Sequence, residues 1–202
     1  MSSHFDFFGH KLSSTIQDLD SERKAIHDGK AFLQNIPVCL VRVAGPDAAD
    51  YLNRRSCQKI VDMKTNDVRR AMILDGVGKI EQDFDIICEK EGEKFLLIST
   101  PYKGGDLATE VDKYLFAEDC QIEDLGKQSA MLVFADSENL KQYKADVKFE
   151  SDLFGTTLLC NVASGQHIEP GNLTEIGFQS YLDHQLHCGQ LFFGLDYTEE
   201  NN

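Results

Sequence analysis

Residues 71–99 read AMILDGVGKIEQDFDIICEKEGEKFLLIS, and this stretch decides the fold class. In its middle, 79–89 (KIEQDFDIICE), the side chains alternate. Ile80, Phe84, Ile86 and Cys88 fall on one face with Gln82 among them, and Glu81, Asp83 and Asp85 fall on the other. A period of two is the mark of a strand. Before it, 71–74 forms a short strand, joined through Asp75-Gly76-Val77-Gly78, residue types that accept positive φ. After it, Glu91-Gly92-Glu93 turns the chain into FLLIS at 95–99. Turns this short join antiparallel strands, because a parallel pair needs a crossover of about a dozen residues. The pattern predicts a three-stranded antiparallel meander.

Reading outward, 38–43 (VCLVRV) is a strand ended by Gly45-Pro46-Asp47. Proline suits the first turn of the helix that follows, where its missing N–H has no partner to lose. That helix runs to about Arg54, with Ala48, Tyr51 and Leu52 inward. An earlier helix is expected over 21–32 with Ser21 as its cap, and another over 107–116. Beyond these, strands are expected at 121–125, 130–134, 146–149 and 156–162, and a short helix at 137–144. A last helix spans 176–188, with Phe178, Tyr181, Leu182 and Leu186 inward. Helices and strands are mixed, but the strands pair through turns, which gives an α+β fold with antiparallel sheet rather than a doubly wound parallel one. Residues 1–20 have weak periodicity and read as a weakly ordered segment ahead of one domain over 21–202.

The 202 residues suffice for one substantial core. A formal net charge of −14 repels phosphate backbones, so nucleic acid is excluded as the default partner. An anionic small molecule needs local basic groups, and the available ones are Arg54, Arg55, Lys59, Arg69 and Arg70. The six cysteines are far apart, with no Cys-x-x-Cys pair and no histidine cluster, so no metal site is expected. Cys39, Cys88 and Cys160 sit in apolar runs as small hydrophobes. No run approaches the ~20 apolar residues of a membrane span, and the first residues lack both kinds of leader pattern. A cytoplasmic location with no membrane partner is the expectation.

The order of weak motifs is specific. It comprises Val41-Arg42-Val43-Ala44-Gly45-Pro46-Asp47-Ala48 with Tyr51-Leu52, then Leu74-Asp75, Gly78-Lys79-Ile80 and Asp83, then Phe95-Leu96-Leu97-Ile98. LATEVDKYLFAED at 107–119, Gln121-Ile122-Glu123-Asp124 and LDHQLHCGQLFFGLDYTEEN at 182–201 continue it. In this order the chain resembles the folate-binding superfamily of the glycine-cleavage T-protein (aminomethyltransferase) and the YgfZ-like proteins, from about residue 22 onward. The resemblance implies an α+β body whose antiparallel strands line a cavity for tetrahydrofolate. It also implies that the aspartate after the glycine hairpin, here Asp83, contacts the folate and serves aminomethyl transfer. One carboxylate can accept hydrogen bonds from a pterin or hold charge developing on a reacting amine. Without the resemblance, Glu81, Asp83 and Asp85 read as a solvated strand face.

The departures fall near the end. Where relatives carry Arg-x-Glu-x-Gly, this chain has Gln185-Leu186-His187-Cys188-Gly189. The resemblance therefore puts Gln185 and His187 at cofactor-binding positions, but a neutral amide lacks the charged fork that recognises a carboxylate. His184 and His187 could form a titratable pair of their own. Relatives often have Thr/Ser-x-Asp where this chain reads Cys57-Gln58-Lys59, and the family's carboxy-terminal barrel domain is expected to be absent. Three functions stay open. The first is a YgfZ-like folate-binding protein accessory to one-carbon or iron–sulfur metabolism. The second is a non-catalytic scaffold or subunit, and the third a tetrahydrofolate-dependent aminomethyltransferase. A protein partner or homo-oligomer is expected to cover unpaired outer strands.

Overall fold

A computed structural model gives the fold, describing residues 3–102, 106–135, 140–162, 168–192 and 195–197. The chain forms two compact units: Met1–Pro37 with Gln128–Gln190, and Val38–Lys127 with Leu191–Asn202. The span 21–202, which the sequence reads as one domain, contributes to both.

The second unit contains the deciding stretch. Strands β4 (Val68–Leu74), β5 (Ile80–Lys90) and β6 (Lys94–Ser99) form the expected meander, with Ala71 opposite Phe84 and Phe84 opposite Ser99. The later part of β3 (Lys30–Ala44) extends it, pairing antiparallel with β6 from Cys39 opposite Ser99 to Ala44 opposite Lys94. Asp75 closes the first hairpin, its Oδ1 accepting from the amides of Val77 at 2.9 Å and Lys79 at 2.8 Å. Gly78 supplies the positive φ, 91°, that this turn requires. Helices α2 (Ala48–Arg55) and α3 (Leu107–Asp112) bring Tyr51, Leu52, Leu107 and Val111 onto Ile73, Phe84, Ile86, Phe95 and Leu97 to make a core. Gly45 precedes α2 because a Cβ there would stand 2.2 Å from the Asp119 carbonyl oxygen.

The solvated acidic face fails at two of its three positions. Asp83 and Asp85 are buried, and only Glu81 is partly open. Both faces of β5 are covered, so alternation locates the strand correctly while misplacing these carboxylates.

The first unit begins with a hairpin, β1 (His4–Phe7) and β2 (His10–Ser13), in the segment the sequence leaves weakly ordered. Four-residue strands are too short to show a period, yet Phe7 and Leu12 are buried and Gly9 turns the chain at φ 85°. Helix α1 (Leu19–His27) is capped by Asp18, whose Oδ1 accepts from the Ser21 amide at 3.0 Å, and not by Ser21. It stops early because Gly29 takes φ 64°, and 30–32 enter β3. The strands expected at 121–125 and 130–134 are one strand, β7 (Gln121–Ala135), passing through Gly126 at φ 72°. In this unit β7 pairs with β9 (Thr156–Cys160), and β9 with β8 (Val147–Ser151), all antiparallel. The two-residue β10 (Thr174–Glu175) runs parallel to the start of β3. The helix expected over 137–144 begins outside the described residues.

Helix α4 (Phe178–His187) needs help at its start. Gly177 is its cap residue and has no side chain to offer, and a Cβ there would stand 2.2 Å from the Ser14 carbonyl oxygen. Glu22 of α1 does the capping. Its Oε2 accepts from the Gly177 amide at 3.0 Å and the Ser180 hydroxyl at 2.5 Å, while Oε1 accepts from the Ile16 and Gln17 amides, both at 2.7 Å. Glu22 is fully buried, so one carboxylate satisfies four donors that water does not reach.

Candidate functional site at Asp83

Asp83 stands opposite Met72 on β4, two places from the pair Arg70–Asp85. That register puts Arg70 and Asp83 on one face as diagonal neighbours, within reach of a long side chain. Arg70 Nε donates to Oδ1 at 2.9 Å and Nη2 to Oδ2 at 2.5 Å, the two-pronged geometry of a guanidinium on a carboxylate. The Tyr197 hydroxyl donates to Oδ2 at 2.8 Å, and Arg70 Nη2 also donates to the Leu191 carbonyl at 3.1 Å. Asp83 is 3% exposed, and its side chain not at all.

The electrostatics follow from this enclosure. Burial works against the charge on Arg70, but the hydrogen bond and negative charge of Asp83 outweigh it and raise its pKa. Burial pushes the Tyr197 phenol well above the usual tyrosine range, and the Asp83 charge pushes it further. At neutral pH Tyr197 is therefore a neutral donor. Asp83 makes three hydrogen bonds of the roughly four a carboxylate can accept. The group is a held anion, able to take a hydrogen bond from an N–H or O–H donor that reaches it.

Sequence reasoning picked Asp83 but not its partners. Arg70 appeared only as one of several bases for an outside anion, and Tyr197 only inside a longer motif. The hairpin alone misses Arg70: counting back from Asp75 and Lys79 sets it opposite Phe84, and the register shift between Ile73 and Leu74 moves it opposite Asp85. Nothing in the sequence points to Tyr197.

The other basic candidates are also engaged within the unit. Arg54 pairs with Glu118 at 2.5 Å, Lys59 with Asp62 at 3.0 Å and Arg69 with Asp62 at 2.6 Å. Arg55 donates to the Glu110 carbonyl, lies near the Glu81 and Glu110 carboxylates, and covers the Tyr114 ring at 4.8 Å. Hydrogen bonds from Arg69 and Lys59 pull Asp62 down to about 2. A cleft of about 190 Å³ opens beside the glycine hairpin, lined by Asp75, Lys79, Glu81, Gln82, Tyr102 and Glu110 among others. Asp83 is not part of its wall.

Gln185 and His187 belong to the first unit, so the structure does not bring them into Asp83's own unit. Gln185, 2% exposed, takes the inward place on α4 with Phe178 and Tyr181, whereas Leu186, expected inward, is 61% exposed. Positions 178, 181 and 185 share a face at 3.6 residues per turn, and a count of apolar residues passes over the amide. Its Nε2 donates to the Phe154 carbonyl at 2.6 Å, and its buried Oε1 has no hydrogen-bond partner among the described residues. His187 lies on the exposed side, its Nδ1 2.7 Å from the Asp183 carbonyl oxygen. His184 makes an edge contact with Phe134, and its Nε2 lies 3.5 Å from Cys188 Sγ. Burial, and then the charge of His187, lowers the His184 pKa. The two histidines thus have separate partners.

Gly155 makes room for Gln185. A Cβ on Gly155 would stand 2.8 Å from Gln185 Oε1, and Gly155 holds φ 61°. Gly155→Ala is expected to cost about 1–2 kcal/mol, from left-handed strain together with displacement of the amide. Urea unfolding of the two proteins measures this, and an unchanged midpoint refutes the packing argument.

Among the described residues no helix is long and apolar enough to cross a membrane, and no three His, Cys, Asp or Glu side chains are grouped to hold a metal ion. No family model and no curated protein matches the sequence. Among solved structures the chain is similar to the crystal structure of glycine cleavage system aminomethyltransferase T from Bartonella henselae. The TM-score is 0.76 at 15% identity, covering 98% of this chain and 62% of that one. The chain therefore has a T-protein-like α+β fold and spans less than two thirds of that protein's length.

Proposed function

We propose that this chain is a tetrahydrofolate-binding protein of YgfZ-like type, accessory to one-carbon or iron–sulfur metabolism. The observation that carries the reading is a buried, arginine-held carboxylate directly after the glycine hairpin, within a fold shared with an aminomethyltransferase. In this reading Asp83 accepts a hydrogen bond from an N–H donor of the pterin. Gln185 and His187 are not required by it.

A second reading, a scaffold without ligand, is favoured by one specific finding. Arg54, Arg55, Lys59, Arg69 and Arg70 all have acidic partners inside the protein, so a polyanionic folate tail meets no uncommitted guanidinium among them. Catalysis of aminomethyl transfer is the third reading.

Calorimetric titration with 5-formyl-tetrahydrofolate separates the readings. Binding is expected in the micromolar to submillimolar range. It is expected to disappear in the double variant Arg70→Met with Asp83→Leu, which removes the carboxylate without stranding a buried charge. No heat at millimolar ligand establishes the scaffold instead, and turnover with an aminomethyl donor establishes the enzyme.

A further inference from the structure

We propose that His184 and Cys188, one turn apart at the end of α4, form a two-donor chelate for a borderline-soft divalent cation of the zinc type. The pair lies in the first unit, and the inference goes beyond the folate-binding reading of Asp83 without depending on it.

The end of the helix fixes both donors. The Cys188 amide donates to the His184 carbonyl at 3.0 Å, so the two residues stack four apart on one side of α4. Just beyond, the Gly189 amide donates to the Leu186 carbonyl at 3.2 Å and the Gln190 amide to the Gln185 carbonyl at 2.9 Å. With Gly189 at φ 71°, these bonds close the helix in a left-handed stop and hold the Cys188 backbone in place. The His184 ring meets Phe134 edge-on, with centroids 5.2 Å apart and planes at 88°.

The separation of the donor atoms is the telling quantity. His184 Nε2 and Cys188 Sγ lie 3.5 Å apart. A zinc ion bonded to nitrogen at about 2.0–2.1 Å and to sulfur at about 2.3 Å, with a tetrahedral angle between them, sets its donors about 3.5–3.6 Å apart. A linear two-coordinate ion needs about 4.3 Å from the same bonds. The pair therefore already has the bite of a tetrahedral ion. Thiolate with imidazole selects zinc-like ions over magnesium and calcium, which take oxygen donors. Cys188 is exposed, which leaves the ion's other two positions to water. A sequence search for paired cysteines passes over His-x-x-x-Cys, because that spacing joins two donors only on a helix. Cys57, the other exposed cysteine, has no histidine beside it among the described residues.

The test titrates the reduced full-length chain with Co²⁺, which reports a bound thiolate by its charge-transfer absorption and a tetrahedral site by intense visible bands. Both are expected, saturating at one ion per chain and reversed by Zn²⁺. Cys188→Ser is expected to abolish the charge-transfer absorption. His184→Gln is expected to weaken binding by at least about tenfold, since even outer partners of metal ligands cost that much when removed. Cys57→Ser and His187→Gln are expected to titrate as the unsubstituted protein does. Urea unfolding without metal checks that each variant is folded, and Cys188→Ser, at an exposed helix end, is expected to keep its midpoint. No charge-transfer absorption at millimolar Co²⁺ overturns the proposal. So does absorption that survives Cys188→Ser or is lost in Cys57→Ser, and so does a titration unmoved by His184→Gln, which leaves a thiol acting alone. None of these outcomes bears on folate binding at Asp83.

Discussion

Glu22→Gln is expected to destabilise the first unit by about 3 kcal/mol, although the substitution changes one atom and no shape. All four groups around the Glu22 carboxylate are donors: the amides of Ile16, Gln17 and Gly177 and the hydroxyl of Ser180. A glutamine has one oxygen and one NH₂, so one side of the cluster must face donor to donor. If the NH₂ turns toward Gly177 and Ser180, the hydroxyl can rotate and accept, but the Gly177 amide is left buried without an acceptor. If it turns the other way, two amides are stranded. The cheaper arrangement still loses the charge-assisted bonds and leaves one buried N–H unpaired, at about 1–3 kcal/mol for that group alone. With two compact units, a single unfolding free energy need not describe the whole chain. The measurement is amide exchange at Ile16, Gln17 and Gly177 alongside urea unfolding. Wild-type protection at these three amides in the variant defeats the argument.

Glu22 also shows where the sequence stops being informative. Its neighbours in the chain describe an ordinary amphipathic helix, on which a glutamate reads as solvent-facing. What buries it is the start of α4, over 150 residues away, where Gly177 is too close to Ser14 to carry a side chain and so cannot cap its own helix. Long-range need of this kind leaves no local pattern. The meander is the opposite case. Its strands and turns are set by near neighbours, and the alternation over 79–89 with glycines on either side was enough to place them, whereas the register shifts at Ile73/Leu74 and Cys88/Lys90 carry no such signal. Asp83 lies between the two. Its strand and position were legible, and the resemblance singled it out, but whether a residue on a strand's second face meets water depends on what covers that face. Tyr197 and the Leu191 carbonyl do so here, and neither carries a periodic signal.

The Asp83–Arg70 pair gives the largest expected loss in the second unit. Asp83→Ala leaves the Arg70 guanidinium enclosed without its anion and Tyr197 without its acceptor, and should cost about 3–5 kcal/mol, the range for breaking a buried ion pair from one side. Arg70→Met alone should cost a comparable amount, because it leaves the carboxylate in a site where Tyr197 alone donates to it. The double variant Arg70→Met with Asp83→Leu should recover most of the loss. Two apolar side chains of similar length fill the same face without desolvated charge, and such replacements are often neutral or stabilising. A double-mutant cycle read by urea unfolding then gives a coupling energy of at least about 2 kcal/mol. A coupling below about 0.5 kcal/mol would place the pair with exposed ion pairs and remove the enclosed carboxylate from the argument. The stable double variant also separates folding from recognition. If the pair exists only to hold β4 against β5, apolar replacement leaves every ligand response as it was. If Asp83 is also a binding group, the protein remains folded and its response to tetrahydrofolate is gone.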